Sequence, residues 1–182
     1  PVGRDAGTYY VWYKVVGDSN HNDIAPACVT VTIAKKQIAK PAADNSTFTY
    51  NGNYQTYALN GDPAFIIGNN MQKNAGSYTV TVKLRDTANY EWADGTTAVL
   101  EYTFKIEQKE IGISWSNTAL TYNGAAQRPT ATATGVVTGE QIALLLSAPE
   151  TNAGSYTAMV RGIDGETAQN YKLPAGRSTT FT

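Results

Sequence analysis

Apolar and polar residues alternate with a period of two through several stretches of the chain. Tyr78, Val80, Val82 and Leu84 share one face of such a stretch, with Thr79, Thr81 and Lys83 on the other. Leu100, Tyr102, Phe104 and Ile106 alternate with Glu101, Thr103 and Lys105, and Val29, Val31 and Ile33 with Cys28, Thr30 and Thr32. This period predicts strands that cover a core with one face only, which belong to antiparallel sheets. Asn51-Gly52, Asn60-Gly61, Asp94-Gly95 and Asn123-Gly124 supply turns between them. Only Gly139 to Leu146 suggests a helical turn, and its Ile-Ala-Leu-Leu-Leu run fits a buried strand equally well. The chain is therefore expected to be all-β.

Self-comparison divides it further. Asp5-Ala6-Gly7-Thr8-Tyr9 returns as Asn74-Ala75-Gly76-Ser77-Tyr78 and as Asn152-Ala153-Gly154-Ser155-Tyr156. Tyr50-Asn51-Gly52 returns as Tyr122-Asn123-Gly124, and Ile33-Ala34-Lys35-Lys36-Gln37-Ile38 as Ile106-Glu107-Gln108-Lys109-Glu110-Ile111. Asn89-Tyr90 and Asn170-Tyr171 follow in the same order. These markers define complete modules at 35–106 and 107–182, with 1–34 the closing hairpin of another. Pro1 opens on no basic and apolar leader, so the chain reads as a fragment beginning in mid-module. A hairpin alone is marginal in water, and this one is expected to pack on a neighbouring module, an absent segment or a second chain.

In the recurring Asn/Asp-Ala-Gly-x-Tyr motif, Gly supplies a bend and Tyr9, Tyr78 or Tyr156 begins a strand facing inward. This resembles the tyrosine corner of immunoglobulin-like sandwiches, where the phenol bonds back to nearby backbone. Val11, Val80 or Ala158 stands where an antibody domain has cysteine. The expected fold is thus a tandem of immunoglobulin-like β-sandwich modules, with a β-grasp as the alternative for units this short.

The K-x-I start, Tyr-Asn-Gly turn, Asn-Ala-Gly-x-Tyr strand, Asn-Tyr pair and Thr-rich final strand together resemble the MBG/YDG-type repeats of bacterial surface proteins. The resemblance covers nearly the whole chain. It implies an extracellular, surface-attached or secreted, repeat-rich and adhesin-like parent, and supplies no catalytic residues. Short connections between modules imply a stiff spacer.

Composition narrows the chemistry. Of 182 residues, 42% are hydrophobic and 16% charged, with 12 Tyr against 4 Phe. A net charge of −1 gives no field that would draw nucleic acid or an anionic membrane. No apolar run approaches the roughly 20 residues of a membrane-spanning helix. Cys28, the single cysteine, leaves no intrachain disulfide, and its alternation places it outward.

Candidate catalytic groups are few. Ser19, His21 and Asp23 lie in one polar loop, whereas a triad draws its members from converging elements. The same loop, with Asp18, Asn20 and Asn22, lacks the Gly and Glu of an EF-hand. No carboxylate pair recurs in both modules. Lys36 and Lys109 invite an isopeptide crosslink, but the final strands hold no Asn partner. No enzyme activity, metal or cofactor is expected. The residues suited to binding are aromatic: Tyr10 and Trp12 on the outer face of the first hairpin, and Trp92 in an expected loop. Exposed rings of this kind suit stacking on a glycan or packing on a protein of host or cell wall. The alternative to a spacer is therefore a carbohydrate-binding accessory module of a secreted glycan-degrading enzyme or adhesin. The hairpin itself could mediate self-association through its edges.

Overall fold

The computed structural model describes residues 2–182. The chain is all-β, with 47% of residues in strands. In order these are β1 (Gly7–Val15), β2 (Ile24–Ile33), β3 (Lys36–Ile38), β4 (Phe48–Thr49), β5 (Gln55–Thr56) and β6 (Phe65–Gly68). There follow β7 (Met71–Gln72), β8 (Gly76–Leu84), β9 (Tyr90–Trp92), β10 (Leu100–Glu107), β11 (Lys109–Glu110) and β12 (Gly112–Ser116). The last are β13 (Thr130–Thr134), β14 (Ala143–Leu146), β15 (Tyr156–Asp164), β16 (Tyr171–Lys172) and β17 (Ser178–Phe181). The ambiguous Gly139–Leu146 stretch resolves as strand, over Ala143–Leu146.

Contacts gather the chain into two compact units that cut across the sequence repeats. One comprises residues up to Asp44 with Ala58–Gly68 and Val80–Tyr102; the other comprises Asn45–Tyr57, Asn69–Thr79 and Thr103–Thr182. One four-stranded sheet has the order β4-β10-β8-β6.

In the first unit, β6 and β8 pair antiparallel with Phe65 opposite Leu84, and β3 runs parallel to β9 with Lys36 opposite Tyr90. The alternation along β8 turns Val82 and Leu84 onto a core shared with Ile38, Ala64, Phe65 and Trp92. Trp92 corrects the expectation of an exposed ring. It is 0% exposed, 5.8 Å from Phe65, and its Nε1 donates to the Ala98 carbonyl at 2.7 Å. The Asp94-Gly95 turn folds the chain back so that Trp92 N–H meets Thr96 O and the indole finds its acceptor. A polar tip satisfied locally lets the ring enter a dry core.

The hairpin β1–β2 also lies in this unit, with Tyr9 opposite Val31 and Val11 opposite Val29. Tyr13, Val15, Val29 and Val31 remain exposed, so the face expected to meet a core is open along with the other.

In the second unit, β4 runs parallel to β10, β11 parallel to β16, and β14, β15 and β17 form an antiparallel sheet. Phe104 is wholly buried against Phe48, Tyr57 and Tyr78, with ring centroids 4.9, 5.7 and 6.1 Å away. In the following repeat Ala158, Val160 and Phe181 are buried, and Tyr156 lies 5.7 Å from Phe181.

The tyrosine motif has a local physical cause. Tyr9 donates its phenol to Asp5 O at 2.6 Å, and Tyr78 donates to Asn74 O at 2.9 Å. Each ring folds back over the motif's own start. A Cβ on Gly76 would lie 3.2 Å from the Tyr78 phenol oxygen, and one on Gly154 3.0 Å from that of Tyr156. The glycine thus makes room for the ring two residues later on the same strand face.

Two substitutions test this packing. Trp92→Ala should destabilise the fold by about 3–5 kcal/mol, and Tyr78→Phe by about 1 kcal/mol through loss of one hydrogen bond. Urea denaturation midpoints read both effects, and an unchanged midpoint for Trp92→Ala would contradict the core described.

Candidate functional site: a repeated asparagine latch

The Asn-Tyr pairs end two tight turns. In the first, Asp86 Oδ1 accepts the amides of Ala88 and Asn89, and Tyr90 N–H bonds to Asp86 O. In the second, Asn170 N–H bonds to Thr167 O within the short 3-10 turn Ala168–Asn170. The opening strand of each repeat grips the strand that follows the turn. Lys36 N–H bonds to Asn89 O while Lys36 pairs with Tyr90, and Lys109 pairs in parallel with Tyr171. The Asn side chain is thereby held in one direction at both places.

That direction leads to the Asn/Asp-Ala-Gly corner of the preceding repeat. Asn89 Oδ1 accepts the Ala6 amide at 2.6 Å, and Asn89 Nδ2 donates to Asp5 Oδ1 at 3.2 Å and Asp86 Oδ2 at 2.7 Å. Asn170 Oδ1 accepts the Ala75 amide at 2.8 Å, and Asn170 Nδ2 donates to Asn74 Oδ1 at 3.2 Å. The bonds to the corner amide and to the side-chain oxygen before it recur in both sets, across 83 and 95 residues of sequence, and the bond to Asp86 belongs to Asn89 alone. Asn carries one acceptor and two donors on a short stem, so a single side chain satisfies both the corner amide and the side-chain oxygen before it. Asn170 is fully buried, where an unmet polar group costs most. The Asn89 amide also holds the Asp86 carboxyl below its ordinary range.

A second contact accompanies the later latch. Tyr50, from the Tyr-Asn-Gly turn, is 1% exposed and meets Tyr171 edge to face at 5.6 Å. Both phenols donate to one carboxylate: Tyr50 to Glu140 Oε1, and Tyr171 to Glu140 Oε2 at 2.5 Å. Tyr171 oxygen also accepts the Val137 amide at 3.0 Å. Burial followed by the neighbouring carboxylate pushes the Tyr171 phenol up to about 12, and the same two causes raise Tyr50. For Glu140, burial acts upward, but the hydroxyls of Tyr171 and Tyr50 outweigh it and hold the carboxyl below its ordinary range. Gly52 lies under Val137 at φ +81°, and a Cβ there would come within 2.6 Å of Val137 Cγ1. The turn needs glycine both for its conformation and for this approach.

The residues expected to bind a ligand are not gathered by the structure into one site. Tyr10 and Trp12 are 62% and 69% exposed on β1, and Trp92 is buried. The polar loop satisfies itself: Asp18 Oδ1 accepts from Asn20 N and lies 2.7 Å from His21 Nδ1, while Gly17 N bonds to Asp23 Oδ1. No group of three potential metal ligands occurs among the described residues. Cys28 is exposed opposite Trp12.

The sequence markers thus included both halves of the latch without revealing that they meet. The only sign was that Asn-Ala-Gly and Asn-Tyr recur together and in the same order. Glu140 and the buried role of Tyr50 carried no such sign. Comparison with known protein families, curated proteins and solved structures finds no match to this chain.

Asn170→Ala should cost about 1–3 kcal/mol, because the half-buried Ala75 amide loses its acceptor. Asn170→Asp keeps the acceptor but loses the donor to Asn74, so it should restore stability only in part. A double-mutant cycle of Asn170→Ala with Asn74→Ala, read by urea denaturation, should show coupling; strict additivity would separate the two groups.

The Glu140 cluster adds a pH dependence. A depressed carboxyl contributes stability above the ordinary value of about 4.3 and loses it as pH falls through the lower folded value. A raised phenol contributes below about pH 10 and loses its contribution as pH climbs towards its folded value. Glu140→Gln should flatten the acid limb of the denaturation midpoint, and an unaltered acid limb would contradict the carboxylate's role.

Proposed function

We propose that this chain is a non-catalytic, extracellular segment of a tandem-repeat bacterial surface protein, serving as a stalk or spacer that carries other domains. The observation that supports it most is the latch made twice from equivalent residues, Asn89 on Ala6 and Asn170 on Ala75. A repeat whose recurring markers hold its neighbour is built for continuity along an array. The resemblance to MBG/YDG-type repeats favours the same reading and an exported location.

Each complete module is read as an immunoglobulin-like sandwich. Two features support this over a β-grasp: the strand order β4-β10-β8-β6 and the phenol-to-backbone bond at the start of β8. The module boundaries at 35–106 and 107–182 follow the markers, while the latch residues tie successive modules together.

A binding role is the second reading, favoured by Tyr10 and Trp12, which stand two residues apart on one exposed strand face. Such a platform suits a sugar ring or an aromatic-rich protein surface. Single-molecule pulling of the full chain addresses the spacer: Asn170→Ala should lower the force of one unfolding event. A glycan array addresses binding: the spacer reading expects no specific signal, whereas a signal abolished by Tyr10→Ala/Trp12→Ala would make the chain an adhesin. An unchanged force trace for Asn170→Ala would remove the mechanical role of the latch.

A further inference from the structure

Three Asn/Asp-Ala-Gly-x-Tyr corners occur in the chain, and two of them are occupied by an asparagine of the following repeat. The third, Asn152–Tyr156, differs in three independent ways. Ala6 and Ala75 are half-buried beneath their latches, but Ala153 is exposed. Tyr50 is buried on Glu140 and Tyr171, but its counterpart Tyr122 is 64% exposed. A Cβ on Gly52 would strike Val137, whereas one on the equivalent Gly124 meets nothing within 4 Å. The uncovered turn and corner lie side by side: Tyr122, Gln127, Asn152, Ala153, Tyr156 and Phe181 line one cavity of about 240 Å³.

We propose that this cavity is an open half-joint whose occupant is the Asn-Tyr turn of a further repeat of the same kind. Resting on the latch reading above, the docking follows the occupied joint. An asparagine equivalent to Asn170 accepts the Ala153 amide and donates to Asn152 Oδ1. A carboxylate equivalent to Glu140 takes the Tyr122 phenol, and a residue equivalent to Val137 covers Gly124. A second copy of this chain fits less well, because both of its own Asn-Tyr turns are already engaged on Asp5-Ala6 and Asn74-Ala75.

The test extends the full chain after Thr182 with a duplicate of residues 107–182, and in a second version with a duplicate of 35–106. Amide exchange by NMR is followed at Ala75 and Ala153. Slowing of Ala153 by at least tenfold on extension, lost when the duplicate's latching Asn is changed to Ala, is the expected result. Ala153 exchanging at its unextended rate in both chains, with Ala75 still protected, overturns the proposal and leaves the latch standing. Fast exchange at both amides overturns the latch reading as well. Protection of Ala153 in the unextended chain that grows with concentration assigns the seat to a second copy and overturns the proposed occupant.

Discussion

One carboxamide at the end of a tight turn decides how this chain is organised. A corner of the form Asn/Asp-Ala-Gly leaves a backbone N–H and a side-chain oxygen pointing outward together, and only a group with an acceptor and a donor side by side satisfies both. Asn89 and Asn170 do so. Their reach is fixed by elements that would otherwise look unremarkable: the Asp86 and Thr167 turns, and the opening strands that clasp Asn89 O and pair with Tyr90 and Tyr171. The compact units therefore combine the end of one repeat with the Asn-Tyr turn of the next, and no repeat forms a unit alone.

Around the later latch the chemistry becomes more specialised. Glu140 collects two phenols from successive repeats, which exchanges the hydration of one carboxylate for two charge-assisted hydrogen bonds. The arrangement ties the Tyr-Asn-Gly turn into the same contact and explains why glycine follows there, close under Val137. Tyrosine is favoured over phenylalanine in this chain for a related reason. Its rings fill half-buried faces while the hydroxyl bonds to a carbonyl, as in Tyr9 and Tyr78, or to a carboxylate, as in Tyr50 and Tyr171.

Period-two alternation made β8 and β10 legible in the sequence, since they need only a one-sided core. The phenol-to-backbone bond was legible at Tyr9 and Tyr78, where Gly two residues earlier leaves room for the ring. What escaped were contacts between distant residues. Trp92 reads as a loop aromatic because its acceptor, Ala98 O, is supplied by a turn whose fold-back no alternation records. The partnership of Asn89 with Ala6 is invisible for the same reason: a side-chain amide acting at a range of 83 residues leaves no local pattern. The first hairpin, expected to pack on a partner, leaves Tyr13, Val15, Val29 and Val31 exposed, because two strands alone cannot bury their apolar face.

The most direct measurement is hydrogen exchange in the unaltered chain at Ala6, Ala75 and Ala153, three alanines in the same local motif. The latch predicts slow exchange at Ala6 and Ala75, where an asparagine oxygen accepts the amide, and fast exchange at Ala153. Equal rates at all three would show that the motif alone sets protection, and would contradict the asparagine latch as the interaction that joins the repeats.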